Sequence, residues 1–164
     1  MHEFFPLFSQ AALVAFQAAW LTMAVSDNLR HPNIDERGFK RVLTMDLVAQ
    51  QDPGGFKDVS ERRVENPRME KALFRTLVAA EVIVAALLWS GSLGLLLAAV
   101  GVIGHEGAQA LASMAVLGFT AIWVSLLTGG LWFLDRAGMF PAVQVHFFLT
   151  IWGVATLTFL AVSP

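Results

Sequence analysis

Four stretches of this chain are long and apolar enough to cross a bilayer, and one polar segment separates the first from the other three. The first runs from Phe4 to about Val25, interrupted by Pro6, Ser9, Gln10, Gln17 and Thr22. A spanning helix needs roughly 20 such residues. Further spans are predicted at about 72–90, 110–134 and 142–162, the last two separated by a short turn with Asp135, Arg136, Gly138 and Pro141. Between residues 93 and 104 the apolar sequence continues past Ser90, Gly91, Ser92 and Gly94, which read as breakers. About 12 residues fall short of a fifth crossing. Whether they extend the second span or lie at the interface stays open. The expected fold is all-α: one integral membrane domain over residues 1–164, a four-helix bundle. Composition agrees, with 56% hydrophobic and 15% charged residues and a mean hydropathy of +0.62, against about 45–50% and about 25% in soluble domains.

Charge orients the bundle. Nine of the eleven lysines and arginines lie between Arg30 and Lys71, and short basic loops are retained on the cytoplasmic side during insertion. The loop 26–71 also carries nine acidic residues, but insertion follows basic residues rather than net charge. The loop 26–71 is therefore expected in the cytoplasm, with the N-terminus and C-terminus outside a bacterial inner membrane. The N-terminus carries Glu3 and no basic residue, unlike the basic start of a secretory signal peptide, so the first span is expected to be retained. Within the loop, Phe39, Val42, Leu43 and Leu47 recur at helical spacing opposite Glu36, Arg37, Lys40 and Arg41, with Asp35 as N-cap. This predicts an amphipathic helix, lying either on the inner leaflet or on the ends of the protein's own helices.

Glu81 is the residue with the sharpest chemical implication. It falls within an otherwise apolar span, about nine residues or about 14 Å from the cytoplasmic end. A charge at mid-bilayer costs about 2.5–3.5 kcal/mol on insertion scales. It must face the bundle interior, find partners or stay protonated. Gln17, Thr128, His146 and Thr150 are the expected partners. Glu81 then reads either as a proton or cation site or as a hydrogen-bonded helix contact. Arg75 is expected to reach the inner headgroups, with an ion pair to Asp135 as an option. Alanines at 11, 15 and 19, Gly129-Gly130 and Gly153 suggest close helix packing.

Several chemistries lack support. With no cysteine there are no disulfides, thiolate nucleophiles or iron–sulfur ligands. No two histidines fall at one depth on facing helices, so His146 gives weak support to haem, and no clustered donor set suggests a metal. No nucleophilic triad or phosphate-binding loop occurs, and the net charge of −2 argues against nucleic acid as a partner.

The stretch NIDERGFKRVLTMD (33–46), then RRVENP (62–67), then the interval to Glu81, with GGLWF (129–133) downstream, resembles bacterial domain-of-unknown-function family 2165. The corresponding positions are Asn28, Met45, Asp46, Arg62, Pro67, Glu81, Gly129, Gly130, Trp132 and Phe133. The resemblance implies small integral membrane proteins with four helices, and no established activity, cofactor or partner. Leu131 stands where the family typically has a glutamate, so a second buried carboxylate is expected to be missing here.

The leading functional expectation is a non-enzymatic accessory or scaffold component of a larger membrane assembly, without cofactor. A small proton- or cation-coupled transporter centred on Glu81 is the alternative, and a haem- or quinone-binding subunit involving His146 is the third.

Overall fold

A computed structural model of the protein describes residues 4–133 and 140–162. Its elements are α1 (Phe4–Arg30), α2 (Pro32–Leu43), α3 (Asp46–Gln51), α4 (Pro53–Val59), a 3-10 turn (Ser60–Arg62), α5 (Pro67–Ala99), α6 (His105–Trp132) and α7 (Phe140–Val162). Four of them, α1, α5, α6 and α7, are long and apolar enough to cross a membrane. Their 27, 33, 28 and 23 residues span about 35–50 Å, more than the roughly 30 Å of hydrocarbon. The helices therefore outrun the expected spans. In chain order they alternate in direction, so α2–α4 cap one end of the bundle and the α5–α6 turn lies at the other.

Residues 93–99 continue α5 rather than lying at the interface. The breakers fail to break because each serves the helix. Ser90 donates to the Ala86 carbonyl and Ser92 to the Ala11 carbonyl of α1, while a Cβ on Gly91 would lie 2.8 Å from the Ala112 Cα. Glycine here permits close approach of α5 to α6. The helix ends at Ala99, and Gly101, whose φ of 77° suits glycine, follows with its N–H donating to the Ala98 carbonyl at 3.0 Å.

Helix α5 packs along α1 on one side and α6 on the other, and α7 packs on α6. The core contains Val14, Leu21, Leu88, Val116 and Phe119, all fully buried. On α1 the seam is Ala11, Val14, Ala18, Leu21 and Val25. Ala19 is exposed, which corrects the expected 11–15–19 packing stripe. Gly153 does pack closely, against Thr120 of α6.

The cap differs from expectation in two ways. Helix α2 starts at Pro32 with His31 in the N-cap position, so Asp35 lies in the first turn and is not the cap. Leu47 belongs to α3, because Met45 adopts a left-handed φ of 55° and ends the α2 run. The amphipathic face lies on the protein's own helices. Phe39 packs on Phe74 of α5 with ring centroids 5.8 Å apart, Lys40 pairs with Glu70 at 3.2 Å, and the Val64 N–H donates to the Leu43 carbonyl at 3.0 Å. Asn66 caps α5 by accepting from the Arg68 N–H at 2.9 Å, with Pro67 following at the first helical position. The expected turn residues Asp135, Arg136 and Gly138, and with them the Arg75–Asp135 ion pair, lie outside the described residues.

Candidate functional site

The capped end holds a partly open cavity of about 900 Å³ bounded by α1, α2, α5, α6 and the start of α7. Its position follows from the fold. Helices α5 and α6 are drawn together at Gly91 and Gly118, where a Cβ would meet Ala112 and Val84. Towards the cap their walls carry smaller contacts, and Gly129, on the cavity wall, has open space where a Cβ would be. The amphipathic face of α2 closes the end with Phe39, Val42 and Leu43.

Glu81 is buried in this wall, and the side-chain amide of Asn28 donates to its Oε2 at 2.9 Å. None of the four partners expected from the sequence makes that bond. Gln17 lies on the same helix as Asn28, eleven residues earlier and about 16 Å away along the axis. Its amide donates instead to the Thr156 hydroxyl of α7 at 3.0 Å. Thr128 and Thr150 donate to carbonyls within their own helices. Asn28 comes two residues before the end of α1, so Glu81 lies nearer the capped face than the bilayer centre.

His146 lines the same cavity from α7, with its ring 5.6 Å from Trp123 at an interplanar angle of 31°. Trp123 continues an aromatic series through Phe119 to Trp152, with centroid separations of 5.8 and 5.9 Å. Two buried polar atoms of lining residues, Asn28 Oδ1 and Trp123 Nε1, have no hydrogen-bond partner among the described residues and almost no accessible surface. Since buried polar groups are normally paired, each one calls for an explanation. Away from the cavity, Gln10 is fully buried with both amide atoms unpartnered. Trp123 and Gln10 escaped the sequence reading because a tryptophan or a single glutamine in a span looks like ordinary packing.

The family-motif positions gather around this site. Asn28, Glu81, Gly129, Gly130 and Phe133 line the cavity. The Arg62 guanidinium lies 4.6 Å over the Trp132 ring and donates to the Trp132 carbonyl at 3.3 Å, tying the cap to the end of α6. Pro67 starts α5, Met45 is buried at the break before α3, and Asp46 opens α3. Leu131 is 46% exposed and outside the cavity wall. A carboxylate at that position would not be buried beside Glu81, which corrects the expectation of a missing second buried acid.

Four long apolar helices, closed at one end by an amphipathic cap, define a small multi-pass integral membrane protein. A family model described as predicted small integral membrane protein matches residues 7–163. The chain belongs to that family, domain-of-unknown-function family 2165. No curated protein and no solved structure matches it. Among the described residues no group of three or more histidine, aspartate or glutamate side chains could hold a metal ion.

Proposed function

We propose that this chain is a non-enzymatic membrane binding protein, serving a larger membrane system as an accessory component by holding an apolar small molecule in the Glu81 cavity. The observation that carries this reading is the cavity itself, about 900 Å³ and lined mostly by apolar side chains around Glu81. Ligand sites typically measure about 300–1,000 Å³, mostly apolar with a few placed polar groups. The distribution of basic residues supports a cytoplasmic position for the cap, in a bacterial inner membrane with both termini outside. Continuous ion conduction is less well supported. Over the about 16 Å from Asn28 to Gln17, the buried face of α1 carries Leu21 and Val25.

Binding of the neutral apolar fluorophore N-phenyl-1-naphthylamine to the detergent-solubilised chain tests the proposal. Wild type is expected to show one saturable site above the empty-micelle signal. Gly129→Leu and Gly38→Leu project into the cavity from glycines whose Cβ positions are open, and each removes a helix-weakening glycine. Both are expected to weaken binding by about tenfold or more, or about 1.4 kcal/mol. No saturable excess in wild type, or unaltered binding in both folded variants, would overturn the reading.

A further inference from the structure

Among the described residues, the charged side chains on the cavity wall are all acidic, with His146 the one further titratable group. Three carboxyl-bearing residues line the cavity, Asp27, Asp35 and Glu81, and among the described residues no lysine or arginine does. This asymmetry is local, because α2 carries Arg37, Lys40 and Arg41, and Lys40 is turned away to Glu70. Asp27 and Asp35 are exposed at the capped end, whereas Glu81 is buried. The wall thus carries acids both at the exposed end and in the buried part. Carboxylates around a low-dielectric cleft focus a negative potential and concentrate cations.

The apolar part of the wall fits the same class of ligand. Phe39, Phe74, Trp123 and Phe133 present aromatic rings to the cavity, and ring faces attract organic cations within about 6 Å. The Asn28 amide donates to Glu81 Oε2 at 2.9 Å and holds that carboxyl at the wall, where an ammonium N–H can donate to it. Exposed lining residues on α5 (Leu73, Thr76) and α6 (Ala121, Ser125) bring the cavity to the flank of the bundle. An amphiphile can enter there without crossing the cap.

Resting on the binding role argued above, we propose that the occupant is a lipophilic ammonium ion, its apolar body among the aromatic side chains and its N–H groups directed to the Glu81 carboxyl. A neutral apolar molecule of equal size satisfies the volume but leaves the buried Glu81 carboxyl with the Asn28 amide as its one side-chain partner among the described residues.

Dansylcadaverine, a primary ammonium on an apolar fluorophore, and its neutral N-acetyl derivative test this on the full chain in non-ionic detergent. The ammonium form is expected to bind about tenfold or more tightly than the acetylated form. Glu81→Gln, which keeps an acceptor for the Asn28 amide, is expected to abolish that preference. Asp35→Asn, on an exposed side chain with no fold-critical bond, is expected to reduce it about two- to fivefold, as a partly screened charge would. Equal affinity for the two probes, or a preference unaltered in both variants, overturns the ammonium assignment while leaving a saturable site for N-phenyl-1-naphthylamine intact. If neither dansyl probe nor the neutral fluorophore binds saturably, the binding role fails with it.

Discussion

Glu81 shows how one side chain can be legible while its surroundings are not. A carboxylate within an apolar run announces itself, but Asn28 was read as loop because the first apolar run ends near Val25. Helix α1 continues five residues further, and that continuation brings the amide to the acid. Replacing Asn28 with leucine removes the one side-chain hydrogen bond to Glu81 among the described residues and leaves a buried carboxyl without it, at a cost of about 1–3 kcal/mol. Glu81→Leu in the Asn28→Leu background should recover much of that loss, since neither polar group is then stranded. Both are measurable by reversible unfolding in mixed micelles, and a double variant less stable than Asn28→Leu would contradict the pairing. Met45 offers a second test. It is fully buried with a φ of 55°, a conformation that costs a non-glycine residue about 1–2 kcal/mol. Met45→Ala keeps the strain and loses the packing, whereas Met45→Gly loses the packing and relieves the strain. The glycine variant is expected to be the more stable of the two, and the reverse order would count against the left-handed turn.

The four apolar helices were readable from hydropathy because a bilayer demands length and apolarity over the whole segment. Their true ends were not, since a helix gains from extending past the membrane wherever a cap or a neighbour meets it. The course of α5 beyond Ser90 depends on Gly91 fitting against Ala112, a contact with a partner distant in sequence. Gly91→Ala places a methyl 2.8 Å from the Ala112 Cα and must push α5 from α6. A loss of about 1–3 kcal/mol is expected, typical of overpacking, against the gain of about 1 kcal/mol that alanine normally brings to a helix. A stabilised Gly91→Ala variant would show that the two helices are further apart. For the cap, periodicity identified an amphipathic surface on α2 but not what covers it. Phe39, Lys40 and Leu43 meet α5 and the segment before it, so this surface faces protein.

In the complete protein, the bundle and cap together make a cavity that no linear pattern displays, because its wall draws on five helices from residue 24 to residue 146. The orientation of that cavity is testable with single cysteines, the native chain having none. Asn28 and Ser92 are buried and make poor reporters, whereas Lys57 and Glu106 are exposed at opposite ends. In intact cells an impermeant maleimide is expected to label the Glu106 site and spare the Lys57 site until the membrane is opened. The opposite pattern would invert the protein.

The central claim is that the Glu81 cavity is occupied by an amphiphile, and photolabelling tests it most directly. A long-chain primary amine carrying a diazirine on its chain is incorporated into membranes containing the full chain, irradiated, and mapped by peptide mass spectrometry. Labelling is predicted on cavity-wall residues of α5 and α6, such as Leu77, Ala80, Ile122 and Leu126, with loss in Gly129→Leu. Labelling spread over exposed apolar residues of α7, such as Phe148, Ile151 and Val154, and unaltered in Gly129→Leu, would contradict the account.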